Sequence, residues 1–418
     1  MAQTLIEKIL AKAAGRTRVQ KGEIVFVSPH RILSHDNSAA ISKIFKQIGA
    51  PAVWDPKRII IALDHAVPPP DERKALNHKI IREFVQEHNI EHFYDCGTGI
   101  CHQVLPENGH VIPGTIIFGA DSHTTTHGAF GAAGIPIGRT ETASVWAIGK
   151  TWLKVPETIK IILTGHLKKG VYAKDVILFL IGQIGASGAN YKSVEFSGDT
   201  VSRMSISERM TLCNLSAEMG AKAGMVAFDE TARDWLDKRV QEDYEPLSAD
   251  DNAEYEKTFE YNLEELGPQV ACPHKVDNVR SIIDLPHTNI DVALLGTCTN
   301  GRLDDLKIAA KIMEGKSVAP SVRFLVYPAS RSVLQDALRL GYIEKLVAAG
   351  AQLAVPSCGP CLGAYGGILA PEENCISTAN RNFKGRMGCK QDTGIYLASP
   401  STVAHSALAG HITDGARR

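Results

Sequence analysis

Three cysteines stand where they could hold a metal ion or a cluster. Cys358 and Cys361 form a C-x-x-C pair in VPSCGPCLG, and Cys298 lies in LLGTCTNGR. Each segment directly follows a short apolar run, which is where parallel strands deliver functional groups. The chain between Cys298 and Cys358 is long enough for a crossover that returns to a neighbouring strand. We therefore expect the three thiols to converge at one edge of a sheet.

The spacing of these thiols leaves three kinds of site open. A structural zinc site would need a fourth cysteine or histidine at finger-like spacing, which CGPCLGAYGG does not provide. A redox pair would need no third cysteine. An iron–sulfur cluster suits thiolates, and three of them would leave one iron open as a Lewis acid for a hydroxyl or water. The cluster is favoured, and the other two interpretations remain open.

The other cysteines are weaker candidates. Cys96, Cys101 and His102 in DCGTGICHQ could form a second metal site, but small residues packed in a glycine-rich turn are the simpler interpretation. Cys389 is the residue most readily mistaken for a further ligand, and we expect it to be incidental. Buried or incidental thiols are also expected at Cys213, Cys272 and Cys375.

Two Asp–His pairs follow short apolar runs. Asp64 precedes His65 in one, and Asp121 precedes His123 by two residues in the other. A carboxylate beside an imidazole raises its basicity and fixes its tautomer, which general acid–base catalysis requires. Both pairs are therefore candidate catalytic groups.

A glycine-containing loop carries two arginines. In STANRNFKGRMG, Arg381 and Arg386 flank Gly385. Guanidinium groups bind carboxylates in a bidentate manner, so this loop suits a substrate with two carboxylates. Thiols, Asp–His pairs and arginines together indicate a hydro-lyase for small polycarboxylates, with a cluster-free acid–base enzyme as the nearest rival.

The elements that must position these groups are predicted from alternating patterns. Short apolar runs are followed by glycine, proline, aspartate or serine and then by helical periodicity, which indicates βαβ units and largely parallel sheets. Strands are predicted at 58–63, 115–118, 159–163, 291–295, 322–327 and 352–355. Thr4 and Glu7 form a capping-box pattern, so the N-terminus is expected to be a helix and not a targeting peptide.

Length and composition limit the possible partners. The 418 residues are 44% apolar and 22% charged, with a net charge of -1. Nucleic acid and membrane surfaces are therefore not expected as partners, and the chain is expected to be cytoplasmic. At about 150 residues per domain, the length predicts about three domains. Their predicted ranges are 1–156, 157–285 and 286–418, the second boundary following an acidic stretch at 241–266 and several prolines.

Five segments carry a resemblance along nearly the whole chain: GADSHTTTHGAFG, CNLSAEMGAKAGM, GTCTNGR, SCGPCLG and STANRNFKGRMG. In this order they resemble the aconitase superfamily, and more closely the large subunits of its 3-isopropylmalate dehydratase and homoaconitase group. The resemblance implies three α/β/α domains of the aconitase type, with mostly parallel sheets around a [4Fe-4S] cluster. It also implies that the fourth, swivelling domain is a separate small subunit.

The resemblance assigns roles by position. It implies cluster ligands at Cys298, Cys358 and Cys361, with one iron left for the substrate. It implies catalytic pairs of Asp64 with His65, His102 with Asp121, and Glu218 with His123. It implies contacts to substrate or cluster from Ser122, Asn214, Asn380, Arg381 and Arg386.

The activity implied is the isomerisation of 2-isopropylmalate to 3-isopropylmalate through an alkene intermediate, in leucine biosynthesis. Homocitrate-type or citramalate- and dimethylmalate-type substrates are the alternatives, and a non-enzymatic iron-sensing, RNA-binding protein is a remote one. The group that removes the substrate proton lies on the swivelling domain in this superfamily. We therefore expect the chain to form a heterodimer or heterotetramer with a small subunit before it turns over.

Overall fold

A computed structural model describes residues 2–363 and 365–416 of the chain. Within these residues the strands form three larger sheets, of five, four and seven strands, and one two-stranded ribbon. Helices lie between most successive strands, as the alternating pattern predicts. No helix in the described ranges combines the length and the apolar character that a bilayer-spanning segment needs.

The five-stranded sheet lies in the N-terminal part of the chain. In chain order this part contains α1 (Leu5–Ala13), β1 (Ile24–Val27), β2 (Arg31–Ser34), α2 (Ser38–Ile48), β3 (Ile59–Ala62), α3 (Glu72–Glu87), β4 (His92–Tyr94), α4 (Cys101–Glu107), β5 (Ile116–Gly119), a 3-10 helix (Ser122–Phe130), β6 (Ala133–Pro136), α5 (Arg139–Ile148) and β7 (Thr151–Lys154). The strand order is β4-β3-β2-β5-β6, and every neighbouring pair is parallel. The ribbon pairs β1 with β7 in antiparallel register.

The four-stranded sheet follows. Its part of the chain contains β8 (Thr158–Thr164), α6 (Ala173–Ile184), β9 (Ser193–Ser197), α7 (Asp199–Arg203), α8 (Ile206–Leu215), a 3-10 helix (Ser216–Met219), β10 (Ala223–Val226), α9 (Glu230–Leu236) and β11 (Lys257–Asn262). The order is β10-β9-β8-β11, all parallel. The acidic stretch thus includes the edge strand β11, whose residues are mostly exposed, and an exposed edge position tolerates charged residues.

The seven-stranded sheet contains the remaining strands. In order, this part contains β12 (Gln269–Ala271), β13 (Val279–Ser281), a 3-10 helix (Ile282–Asp284), β14 (Val292–Gly296), α10 (Thr297–Asn300), α11 (Leu303–Met313), β15 (Arg323–Tyr327), α12 (Arg331–Arg339), α13 (Tyr342–Ala348), β16 (Gln352–Leu353), a 3-10 helix (Gly359–Leu362), β17 (Asn374–Ser377), β18 (Gly394–Leu397) and α14 (Pro400–Ala409). The order is β13-β12-β18-β17-β14-β15-β16. The pairs β12-β13 and β12-β18 are antiparallel, and the other pairs are parallel.

The secondary structure confirms the six predicted strands and the N-terminal helix. Each predicted run overlaps a strand, and α1 begins after a capping box of Thr4 and Glu7. The domain boundaries stay predictions. β12 and β13 lie before residue 286, yet they pair within the sheet that the 286–418 range otherwise supplies.

One continuous apolar core joins the three sheets. It contains Leu33 and Ile60 from the first sheet, Ile159 from the second, and Val292 and Leu294 from the third, all buried. The strands are apolar on both faces because helices cover both, as parallel sheets require. This shared core fixes the strand ends of one sheet against those of another.

A glycine allows the first and second sheets to come close together. Gly128 lies in the 3-10 helix after β5, and a Cβ there would overlap the carbonyl oxygen of Gly224 on β10. The helix that follows Asp121 can therefore rest directly on the second sheet.

Candidate active site

A cavity of about 240 Å³ lies between the carboxyl ends of the first and third sheets. The predicted site residues that line it are His65, His102, Asp121, Ser122, His123, Cys298, Cys358, Cys361, Asn380, Arg381 and Arg386. The other three predicted site residues do not line the cavity but hydrogen-bond to residues that do: Asp64, Asn214 and Glu218. A larger cavity, of about 920 Å³, extends along α11, and none of the predicted site residues lines it.

Asp64 and His65 follow β3 and form a close pair. Asp64 Oδ1 lies 2.6 Å from His65 Nδ1, and Asp64 Oδ2 accepts a hydrogen bond of 2.7 Å from the Cys101 N–H. Because the buried carboxylate occupies Nδ1, the ring presents Nε2 to the cavity. Burial alone would lower the pKa of His65, but Cys358 and Asp64 raise it well above its ordinary value.

Asp121 follows β5 and is shared by several imidazoles. Its Oδ1 lies 2.8 Å from His102 Nε2 and accepts the His123 N–H at 2.8 Å. Its Oδ2 lies 3.7 Å from His65 Nε2. Burial opposes ionisation, but the hydrogen bonds from His102 and His123 hold the pKa of Asp121 well below its usual range. A carboxylate that lines the cavity therefore stays charged.

Glu218 connects the three sheets. It lies in the 3-10 helix after α8 of the second sheet, and its Oε1 is 2.8 Å from His123 Nε2. The same oxygen accepts a hydrogen bond of 2.8 Å from Arg381 Nε, which follows β17 of the third sheet. Burial opposes ionisation, but His123 and Arg381 lower the pKa of Glu218. One carboxylate thus holds an imidazole and a guanidinium in fixed positions.

The three predicted cluster ligands come from the third sheet. Cys298 lies in α10 directly after β14, Cys358 follows β16, and Cys361 lies in the next 3-10 helix. All three are buried. Gly359 makes the C-x-x-C turn possible, because its φ is +55° and a Cβ there would lie 2.7 Å from the Tyr327 ring.

Side-chain amides and a guanidinium surround these sulfurs. Asn214 Nδ2 and Asn380 Nδ2 each donate to Cys298 Sγ at 3.3 Å. Arg386 Nη2 donates to Cys361 Sγ at 3.5 Å. Donors aimed at sulfur suit thiolates that bind a metal, since hydrogen bonds to ligand sulfurs tune such centres.

The chemistry of this donor set fits a cluster better than a single zinc ion. Burial raises the pKa of Cys298 to about 12, so this thiol is neutral unless a metal displaces its proton. Sulfurs around one zinc lie about 3.8 Å apart, from Zn–S bonds of about 2.3 Å in a tetrahedron. Within the described ranges, the set of potential ligands whose atoms all lie within 4.8 Å of one another is His35, Asp36, Asp64 and His65, and it contains no cysteine.

The remaining cysteines lie outside this arrangement. Cys101 is buried, and Cys96 contacts His78 Nδ1 through its sulfur at 3.4 Å. Cys389 does not line the cavity, and its sulfur contacts the backbone of Gln391. The incidental character of Cys389 stays a prediction that agrees with this placement.

Sequence reasoning missed a third histidine–aspartate segment, His35 and Asp36. The His35 ring stacks on that of His65 with centroids 3.9 Å apart. Asp36 Oδ2 accepts the N–H groups of Asp64 and His65 at 3.0 and 2.8 Å, so it holds the turn that presents His65. The signal was present, because these residues directly follow an apolar run that forms β2.

Two buried basic side chains were not identified as supporting residues from the sequence. Lys174 Nζ donates to the carbonyl oxygens of Thr378 and Ala379, both at 2.7 Å, and burial lowers its pKa to about 7. Arg302 donates to the carbonyl oxygen of Cys298 at 2.7 Å. Both side chains support backbone next to predicted site residues, and their role follows only from the folded arrangement.

The sequence matches a known protein family and named relatives over nearly its full length. The model of the aconitase family (aconitate hydratase) matches residues 7–410. The "3-isopropylmalate dehydratase large subunit 1" of Methanopyrus kandleri is 48% identical over 415 residues, 99% of each chain. The "Probable methanogen homoaconitase large subunit" of Methanosarcina mazei is 51% identical over 383 residues, 91% of this chain and 97% of that protein.

A solved structure shares the fold at low identity. The holo-form of aconitase X from Thermococcus kodakaraensis superimposes with a TM-score of 0.50 and 14% identity, covering 88% of each chain. This likeness concerns the α/β fold, whereas the family match and the full-length relatives concern the sequence itself. With three largely parallel sheets that bring thiols, imidazole–carboxylate pairs and arginines to one cavity, the chain belongs to the aconitase family.

Proposed function

We propose that this chain is the large subunit of a 3-isopropylmalate dehydratase, which isomerises 2-isopropylmalate to 3-isopropylmalate in leucine biosynthesis. The observation that carries the proposal is the meeting of three thiols, three histidine–carboxylate pairs and two arginines in one cavity. Full-length identity to relatives of that name supports the same substrate class.

Cys298, Cys358 and Cys361 would hold a [4Fe-4S] cluster. Their burial, their amide and guanidinium donors and their wider spread than a zinc site needs support this assignment. When bound, such a cluster supplies a Lewis-acid iron that polarises a substrate hydroxyl and a carboxylate.

The arginines would bind and orient the substrate. Arg381 lies beside Glu218, which fixes its Nε and leaves its terminal nitrogens for a carboxylate. Arg386 lines the same cavity beside Cys361. Two guanidinium groups on one side of the cavity match a dicarboxylate, with Ser122 and Asn380 as further polar contacts.

Of the imidazoles in the three histidine–carboxylate pairs, His65 is best placed to deliver the proton. His102 and His123 use Nε2 to bind Asp121 and Glu218, whereas His65 binds its own carboxylate through Nδ1. Nε2 of His65 would give its proton to the departing hydroxyl and take it back when water adds to the adjacent carbon. The two other pairs would hold charge and orientation around it.

The removal of the proton from carbon requires a base that we assign to a separate small subunit. The relatives are named large subunits, which supports the need for a partner. A heterodimer or heterotetramer would close the cavity and exclude water during the elimination.

The test is an anaerobic reconstitution of the chain with iron and sulfide, with and without its cognate small subunit. We expect visible cluster absorbance from the chain alone, turnover only from the complex, and a kcat/KM for 2-isopropylmalate at least about tenfold above that for homocitrate or citramalate. Strong turnover by the chain alone would contradict the need for a partner.

A homoaconitase activity is the second candidate. The 51% identity to a relative of that name favours it. A preference for homocitrate in the same assay would establish it in place of the first candidate. Tight RNA binding by the cluster-free chain, with no turnover by the complex, would instead support the iron-sensing alternative.

A further inference from the structure

Cys96 lies at the outer end of a hydrogen-bonded row that starts at the catalytic turn. Asp36 accepts the N–H groups of the turn that carries His65, and its Oδ1 lies 2.7 Å from His78 Nε2. The opposite ring nitrogen, Nδ1 of His78, lies 3.4 Å from Cys96 Sγ. Carboxylate, imidazole and thiol are thus in line, which is the arrangement that activates a nucleophilic cysteine.

Helix α3 supplies two positive groups to this sulfur. His78 and Arg82 are four residues apart, so they project from one face of the helix. Arg82 Nη2 lies 3.9 Å from Cys96 Sγ. Asp95 shares the charge of Arg82 through two hydrogen bonds of 2.8 Å, so His78 is the cation that most directly faces the thiol.

The Asp36 carboxylate keeps His78 protonated. Burial alone would lower the pKa of His78, but hydrogen bonds to Asp36 and Cys96 outweigh it and raise the pKa to about 9. At neutral pH the ring is therefore an imidazolium, and its Nδ1–H can donate to the sulfur that attacks.

Exposure and polar neighbours together distinguish Cys96 from the other thiols. Among the described cysteines, only Cys96 and Cys389 are partly exposed, and the rest are buried. The Cys389 sulfur hydrogen-bonds to the backbone of Gln391, and within the described residues no imidazole or guanidinium hydrogen-bonds to it. Cys389 is therefore a control thiol of similar exposure within the same molecule.

We propose that Cys96 is a nucleophile and a site of modification by disulfides of low-molecular-weight thiols. The Cys96 thiolate attacks one sulfur of the disulfide, a new S–S bond forms, and the old S–S bond breaks. Its electron pair leaves with the other half as a thiolate, which takes a proton from solvent, so no further oxidant is needed.

The modification also changes the support of the catalytic turn. A mixed disulfide places an added group between Cys96 Sγ and the two side chains that face it, and this group displaces Arg82 or the His78 ring. Since His78 holds Asp36 and Asp36 holds the backbone of Asp64 and His65, the position of His65 is disturbed. This consequence rests on the proposed function, whereas the reactivity of the thiol does not.

The experiment treats the anaerobically reconstituted complex with glutathione disulfide at neutral pH and maps the modified peptides by mass spectrometry. We expect Cys96 to form the mixed disulfide at least about tenfold faster than Cys389 in the same molecule. Equal rates at the two sites would overturn the proposal, and this comparison requires no variant to fold.

Two variants test the cause of the reactivity. His78→Gln is expected to slow the reaction of Cys96 by about tenfold and Arg82→Gln by a smaller factor, with Cys389 unaffected. An unchanged rate at Cys96 in both variants would overturn the role of the two cations. Arg82 is half-exposed, so its variant tests the idea even where His78→Gln fails to fold.

Activity provides the last readout. The thiolated complex is expected to lose most of its turnover and to regain it on reduction, whereas Cys96→Ser keeps its turnover in glutathione disulfide. Full thiolation of Cys96 without loss of turnover would overturn the link to the catalytic turn.

Discussion

The two edges that form the cavity are built in different ways. At the edge of the first sheet each carboxylate has partners within the chain: Asp64 binds His65 and the Cys101 N–H, and Asp121 binds His102 and His123. At the edge of the third sheet the polar neighbours of the Cys298 and Cys361 sulfurs are amide and guanidinium groups at 3.3 to 3.5 Å.

The difference separates what the chain completes alone from what it leaves to a cofactor. A carboxylate with charged hydrogen-bond partners is held in place and ionised by the protein. A buried thiol with a raised pKa is neutral and weakly held, and becomes a good ligand only when a metal takes its proton. We therefore expect loss of a thiol to remove the cofactor, and loss of a carboxylate to impair catalysis while the cofactor stays bound.

The largest effect is expected at the thiol edge. Cys358→Ser should abolish the visible cluster absorbance after anaerobic reconstitution and lower turnover of the complex by more than about a thousandfold, since a Lewis acid contributes several kcal/mol. Absorbance and iron content are measured together with turnover. Cys389→Ser is the matched control and should change neither, and the reverse result would overturn the ligand assignment.

A smaller loss is expected at the carboxylate edge. Asp121→Asn removes the charge shared by His102 and His123 but keeps the shape of the side chain. Turnover should fall by about 10²- to 10⁴-fold, the usual range for acid–base groups, while the cluster absorbance stays. If the variant lost its cluster, the two edges would not be independent and the contrast would fail.

A third variant tests the support behind the arginine loop. Lys174→Met leaves the carbonyl oxygens of Thr378 and Ala379 without their buried donor, at a cost of about 1 to 3 kcal/mol. Because these carbonyls precede Asn380 and Arg381, we expect KM to rise about tenfold with a smaller change in kcat. Denaturant unfolding measures the stability, and Lys168→Met, at an exposed ion pair, is the control.

The smallest effect concerns stability and pH at the first edge. The pKa of His78 is raised from 6.5 to about 9, so its protonated form stabilises the fold fully below the ordinary value. This contribution is lost as the pH rises through about 9, and a shift of this size corresponds to at most about 3 kcal/mol. The free energy of unfolding is measured for the wild type and His78→Gln near pH 6.5 and above pH 9. The difference between the two proteins should become smaller as the pH rises, and a constant difference would contradict the pairing of His78 with Asp36.

Much of the fold could be predicted because both periodicity and position carry information. The apolar runs at 58–63 and 115–118 became β3 and β5, and the Asp–His groups that follow them reached the cavity. Parallel strands place their carboxyl ends at one edge, so groups far apart in sequence meet. The family resemblance added the pairing partners, and the distances now agree with those pairs.

The rest depends on tertiary contacts that no local pattern encodes. Lys174 lies in the first turn of the apolar helix α6, where a lysine usually faces solvent, and only the packed carbonyls after β17 make it a buried donor. Asp36 is different, since its position after β2 was readable and was overlooked. Strand β11 was hidden because an edge strand tolerates charges that otherwise indicate a loop.

The carboxylate of Glu218 has a consequence for building chimaeric enzymes from this chain. One of its oxygens, Oε1, contacts both His123 and Arg381, so segments from all three sheets must be correctly placed for this atom to keep both partners. A segment transplanted from a relative can keep every motif residue and still leave this buried charge with one partner, a defect that costs several kcal/mol. The natural unit of exchange is therefore the three segments together, and recombination within the chain should be tolerated far less than replacement of the whole.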